Sequence, residues 1–190
     1  MAFSFGKNLI ITIFGEAHSE KMGVVIEGLP VGKTINLESI KENLALRRSK
    51  DFFETKRVEC DEFEIVSGYF NNKTTGAPLA ILVSNAKQKS SDYNPDMIRP
   101  SHADFVSKVK YDGFNDYRGG GIFSGRLTVL LVIAGSICLE LLKEENITID
   151  TEVSSIGGMS KGYEKLIDEA GSGNDSLGGI VKITVNNLPV

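Results

Sequence analysis

The segment Leu127–Leu142 is the longest apolar stretch in the chain, and whatever fold forms must deal with it. Gly135, Ser136 and Glu140 interrupt it. It is too short and too broken to read as a membrane span, so its pattern predicts a buried helix. No signal peptide is expected either, because the apolar run Leu9–Phe14 is short and no cleavage site follows it. A chain of 190 residues, 41% hydrophobic and 24% charged, suits a soluble globular protein of one domain or one and a half, with ample core.

The covering elements can be read on either side of that helix. Leu9–Phe14 and Val24–Glu27 read as strands, and Gly28–Gly32 as a turn. Asn36 is placed to cap an amphipathic helix carrying Leu37, Ile40 and Leu44, closed by Arg47 and Arg48. Val58–Ser67 and Leu79–Val83 read as strands separated by turns at Asn71–Lys73 and Thr74–Pro78. The polar stretch Asn85–Ile98 reads as a long loop, of the kind that often binds or covers a ligand. Ser101 is expected to cap a short helix through Phe105, Val106 and Val109. Ile147–Val153 and Ile180–Val185 read as strands, with a helix near Tyr163–Asp168 between them. Regular strand–helix alternation is missing, so the fold class is α+β.

The chemistry concentrates in few places. The chain has two histidines, His18 in Phe14-Gly15-Glu16-Ala17-His18-Ser19-Glu20 and His102 in Arg99-Pro100-Ser101-His102-Ala103-Asp104. Histidine exchanges a proton near neutral pH, so two of them in turn-like motifs suggest acid–base work. Gly119-Gly120-Gly121 followed by Ile122-Phe123-Ser124-Gly125-Arg126 suggests a loop whose backbone N–H groups and Arg126 fork could hold an anion. It has neither a P-loop ending nor a dinucleotide-fold context. No metal centre is expected, since HxH and HExxH spacings are absent. Net charge of −4 disfavours generic nucleic-acid binding. Cys60 and Cys138 stand far apart, which fits a reducing, cytoplasmic setting.

Taken in order, these segments resemble the N-terminal half of the chorismate synthase family. FGEAHSEKMGVVIEGLP, LALRRS, TKRVECDEFEIVSG, TTGAP, NAKQKSSDY, RPSHADFVSKVKYDGFNDYRGGG, GIFSGRLT and GGIVKITVNNLPV each resemble a family segment, across essentially the whole chain. The resemblance implies an α+β fold that sandwiches helices between antiparallel β-sheets, here truncated. Residues 1–190 would be the N-terminal part of that domain, with the C-terminal part absent. The implied enzyme is a lyase of the shikimate pathway, in aromatic amino acid biosynthesis. It performs the anti 1,4-elimination of phosphate from 5-enolpyruvylshikimate 3-phosphate to give chorismate. The implied cofactor is reduced FMN, delivered reduced or reduced on site by NADPH. By resemblance His18 and His102 are catalytic, Arg47, Arg99 and Arg126 bind substrate, and Ile122, Phe123, Ser124 and Gly125 stand at the flavin loop. The partner is then a small-molecule substrate, without nucleic acid or membrane, in a cytoplasmic homotetramer.

The chain departs from the family pattern in places. Ile122 and Phe123 replace an Arg-Ser pair and Leu127 replaces a Glu. Leu46-Arg47-Arg48-Ser49 lacks one Arg and the usual Pro-Gly, while Ala17 and Ser19 replace a Ser and a Gly. A side chain at Ser19 is expected to crowd a close backbone approach. These changes motivate a rival reading, a degenerate or half-chain binding and assembly module on the same scaffold. A generic phosphate-ester-binding domain with another activity ranks last.

Overall fold

The structure is a computed structural model that describes residues 3–48, 61–85 and 90–189. The elements run β1 (Ser4–Phe5), β2 (Ile10–Phe14), β3 (Lys21–Glu27), α1 (Leu37–Leu46), β4 (Phe63–Ser67), β5 (Tyr69–Phe70), β6 (Lys73–Thr74) and β7 (Leu79–Ser84). Then come α2 (Asp104–Lys110), α3 (Thr128–Glu144), β8 (Thr148–Ile156), α4 (Glu164–Ser172) and β9 (Gly179–Asn186). Every pairing between these strands is antiparallel, which with the helices makes the class α+β, as expected. Cys60 and the start of the strand expected from Val58 lie outside the described residues.

Two compact units divide the chain. The larger contains Met1–Arg47 and Glu59–Ile137. Its five-stranded sheet has the order β1-β2-β3-β7-β4. Alternation along β3 and β7 sends Met22, Val24 and Ile26, and Leu79, Ile81 and Val83, into the core. Register aligns them, with Val24 opposite Ile81 and Met22 opposite Val83. β4 adds Ile65 opposite Ile81 before a bulge between Ile65 and Ser67 bends it away. Ile40 and Leu44 of α1, and Val129, Leu130, Ile133, Ala134 and Ile137 of α3, are buried in the same unit.

Local chemistry sets the element ends. Asn36 caps α1 as its sequence suggests, with Oδ1 accepting from the Ser39 N–H at 3.1 Å. Thr74 is buried and clamps the Pro30–Lys33 turn. Its Oγ1 donates to the Pro30 carbonyl (2.6 Å) and accepts from the Lys33 N–H (2.9 Å).

Ser101 does not cap a helix. It has φ 59°, and α2 begins only at Asp104, with no side-chain cap at Ala103. The Asp104 carboxylate is spent on Arg99 instead. The apolar helix is also longer than its sequence pattern suggests. Including the 3-10 turn that leads into it, Gly125–Glu144 is long and apolar enough to cross a membrane by length and composition. Its buried residues nonetheless belong to the core, as a core helix requires.

The smaller unit contains Cys138–Val190, together with residues outside the described set. β8 and β9, with α4 between them in the chain, form a two-stranded antiparallel sheet in which Ile149, Thr151 and Val153 oppose Val185, Ile183 and Val181. That face is apolar and exposed at Val153, Val181, Ile183 and Val185. The other face is polar and carries the Glu152–Lys182 ion pair (3.0 Å).

Ile81 sits fully buried at the centre of the larger sheet. We expect Ile81→Ala to cost about 2–5 kcal/mol in denaturant unfolding followed by circular dichroism. A loss below about 0.5 kcal/mol, the range of a surface substitution, would contradict this placement of the core.

Candidate active site

Three consecutive glycines form the floor of the site. Gly119, Gly120 and Gly121 have φ of 60°, 85° and 54°, a left-handed run that side-chain-bearing residues adopt only at a cost. The missing side chains make room for the two imidazoles. A Cβ on Gly119 would lie 2.7 Å from Cδ2 of His18, and a Cβ on Gly120 would lie 2.7 Å from Cε1 of His102. The Ala17 N–H donates to the Gly121 carbonyl (3.1 Å) and ties the His18 turn to the same loop. Thus the chain's two histidines rest on neighbouring residues of one backbone segment.

The surrounding groups hold each ring. Tyr93, from the long loop after β7, meets His18 edge-on, with ring centroids 5.1 Å apart at 87°. The Arg99 guanidinium lies over the same Tyr93 ring, 5.5 Å from its centroid. Arg99 grips Asp104 through Nε (2.8 Å), Nη2 (2.9 Å) and its backbone N–H (3.1 Å). His102 Nδ1 stands 2.7 Å from Oδ1 of Asp104. The Arg99 hydrogen bonds, helped by charge, hold the Asp104 carboxyl far below the usual carboxylate range. His102 lies just before the α2 N-cap Ala103, between the Asp104 carboxylate and the Arg99 guanidinium.

On the other side of the glycine floor, Arg118 forks onto Asp116 with two bonds of 2.8 Å. Those bonds lower the Asp116 carboxyl, and the Arg118 charge lowers it further. Burial pushes the Glu16 carboxyl up, and the Asp116 charge adds to the rise.

Arg126 and Arg47 meet on a third carboxylate. Arg126 Nη1 donates to Oδ1 of Asp61, and Arg47 Nη1 to Oδ2 at 3.3 Å. Arg47 Nη2 also reaches Oγ1 of Thr128 (3.0 Å). The Arg126 side chain is only 7% exposed, against 24% for Arg47 and 40% for Arg99. Arg126 Nε donates to Oδ1 of Asn85 (3.1 Å), and Asn85 Nδ2 donates to the Ser19 (2.8 Å) and Glu16 (3.3 Å) carbonyls. Arg126 therefore reaches the His18 turn through Asn85, while Arg99 reaches His102 directly (3.1 Å to Nδ1).

The segment expected to be an open anion cradle is partly engaged in its own folding. Gly120 and Ser124 N–H groups bond within the loop, and Ser124 Oγ accepts from the Arg126 N–H (3.3 Å). Ile122 instead lines a cavity of about 770 Å³ together with Phe3, Phe14, Tyr111, Phe114, Glu16, Asp116 and Lys110. Phe123 packs its ring against Tyr111 (6.3 Å). Leu127 is buried in the core. A separate cavity of about 280 Å³ is lined by Tyr93, Arg99, Asp104, Lys108 and Tyr117. Ser19 does not crowd its turn. Its hydroxyl oxygen lies 2.8 Å from the Glu16 carbonyl and 2.7 Å from the Lys21 carbonyl, donates its one proton to one of them, and accepts from the Glu16 N–H (3.1 Å), which closes the loop.

Asp61, Asn85, Tyr93, Asp104 and Asp116 escaped the sequence reading. Asp104 had a legible signal, two residues after His102 and five after Arg99. The others are brought in by folding from separate segments.

The glycine floor generates a reciprocal prediction. Gly120→Ala should displace chiefly the His102 imidazole signals in long-range ¹H–¹⁵N spectra, and Gly119→Ala chiefly those of His18. Each should cost about 1–2 kcal/mol in unfolding experiments from the left-handed backbone alone. Equal movement of both rings by either variant would contradict the arrangement.

Comparison with known proteins identifies the family. The family profile described as chorismate synthase matches residues 9–190. Chorismate synthase of Thermococcus kodakarensis is 39% identical over 97% of this chain, and that of Chitinophaga pinensis 41% identical over 98%. The chain spans 59% and 56% of those proteins' lengths. A crystal structure of chorismate synthase superposes with a TM-score of 0.73 at 25% identity, over 96% of this chain and 59% of that one. From the motif series, the fold and these relatives together, the chain belongs to the chorismate synthase family.

Proposed function

We propose that this chain is the N-terminal part of a chorismate synthase and supplies the acid–base and anion-holding side of its active site. The reaction would be the anti 1,4-elimination of phosphate from 5-enolpyruvylshikimate 3-phosphate, which breaks a carbon–oxygen bond, removes a ring proton and leaves chorismate and phosphate. The seating of His18 and His102 on adjacent glycines carries this reading. It gives two groups able to exchange protons near neutral pH at one place.

His18 is proposed to protonate the departing phosphate. Its ring is braced by Tyr93 and by the bonded turn Glu16–Ser19, which fixes the direction in which a proton can be offered. His102, oriented by Asp104 and Arg99, is proposed to keep the cofactor in its working protonation state. Arg47 and Arg99 do not spend all five guanidinium N–H donors on their carboxylates, and they are the proposed clamps for the substrate's phosphate and carboxylates. Arg126 lies deeper and would back that clamp from behind Asp61.

The residues suit reduced FMN. The aromatic side chains lining the 770 Å³ cavity would suit a flat ring system, Ile122 would contribute apolar surface to it, and Phe123 would support it from behind Tyr111. Neither side chain carries a donor for the cofactor's phosphate, and among the described residues lining the cavity Lys110 is the cation. Ser124 and Gly125 complete the proposed flavin loop. When bound, reduced FMN supplies electron density to the substrate as phosphate leaves and takes part in removing the ring proton. Reduction of the flavin before binding or on site by NADPH, assembly as a homotetramer, and a cytoplasmic setting belong to the same proposal.

The loss of a cation at Ile122 and a carboxylate at Leu127 favours the rival reading of a non-catalytic module. Anaerobic titration of the complete subunit that carries this chain with reduced FMN separates the two. We expect a perturbed reduced-flavin spectrum and chorismate formation by that completed enzyme, with His102→Ala lowering its turnover about 10²-fold or more while the fold persists. An unperturbed flavin with no chorismate would favour the module. Turnover within about a factor of two of wild type in His102→Ala would remove His102 from the chemistry.

A further inference from the structure

Asn85 stands directly after β7 and uses both ends of its side-chain amide. The Nδ2 group donates to two carbonyls, Ser19 (2.8 Å) and Glu16 (3.3 Å), which flank Ala17 and His18. The Oδ1 atom accepts from Arg126 Nε (3.1 Å). The Asn85 backbone N–H adds a bond to the Glu20 carbonyl (3.0 Å). Beyond Arg126 lies Asp61, which also carries Arg47. One small amide thus joins the buried arginine–carboxylate cluster to the turn that bears His18.

We propose that Asn85 is a positioning residue that couples Arg126 to the orientation of the His18 imidazole. The chemistry admits few substitutes. The position needs a donor for two carbonyl oxygens and an acceptor for a guanidinium N–H, both on one planar carbon one methylene from the backbone. Aspartate keeps the acceptor but sets a carboxylate oxygen against two carbonyl oxygens. Serine is too short to span both sides. Glutamine adds a methylene and must push one partner away. Movement of the turn by a fraction of an ångström would misdirect a proton offered by His18, which is the kind of displacement that proton transfer tolerates poorly.

The functional meaning rests on the reading of His18 given above, but the coupling itself can be read without turnover. The chain has two histidines, so each imidazole gives its own resolved set of signals in long-range ¹H–¹⁵N spectra of the full chain. In Asn85→Asp we expect the His18 signals to move beyond their linewidth while those of His102 stay within theirs. Arg126→Lys, which removes the Nε donor and keeps the charge, should move His18 in the Asn85 background and leave it unmoved in the Asn85→Ala background. Unmoved His18 signals in Asn85→Asp, or equal movement of both rings, would overturn the proposal. Should Asn85→Asp fail to fold, the milder Asn85→Ser and the Arg126→Lys pair decide by the same criterion. Failure of the wild-type chain to perturb reduced FMN would count against the proposed function and leave the Asn85 coupling standing. Loss of turnover in Asn85→Asp with unmoved His18 signals would do the reverse.

Discussion

The close approach of two imidazole rings to the bare backbone of Gly119 and Gly120 is the contact on which the site depends. A left-handed run of three residues is costly for anything but glycine, and a single added methyl group would occupy the space each ring fills. The glycines therefore act by what they lack. They let segments from the start and the middle of the larger unit meet within it. Each ring then acquires its own neighbours, Tyr93 for His18, Arg99 and Asp104 for His102.

Around that floor the charges are arranged in paired groups. Asp104 holds Arg99, Asp116 holds Arg118, and Asp61 holds both Arg47 and Arg126. A buried cation without a partner would be expensive, and the interior Arg126 is accordingly paired with Asp61. Exposure then ranks the arginines. Arg99 and Arg47 can still reach outward, and Arg126 is confined to the interior. Under the proposed function, the outward arginines would meet the ligand and Arg126 would hold them in place.

Much of the scaffold was legible in the sequence because its signals are local. Short apolar runs marked β3 and β7, alternating apolar residues marked β9, Asn36 marked the start of α1, and the apolar stretch marked α3. The misplaced start of α2 shows where such signals fail. Ser101 has the composition of a cap, but the Arg99–Asp104 bond and the left-handed Ser101 backbone override it. The histidines, arginines and glycine loop stood out by residue type, and the resemblance ordered them. Asn85 and Asp61 did not stand out, since an Asn after a strand and an Asp before one are ordinary residues. Their roles arise from partners distant in the chain, which no local pattern reports. The glycine loop was legible as a special backbone, but its purpose was not, because seating a ring and cradling an anion demand the same absence of side chains.

The most direct test is a nuclear Overhauser measurement on the uniformly labelled chain. We expect cross-peaks from the His18 Hδ2 proton to the Gly119 α-protons and from the His102 Hε1 proton to the Gly120 α-protons, in one folded species. Their absence, with both rings instead showing contacts only to their own sequence neighbours, would contradict a shared glycine floor and the two-histidine site built on it.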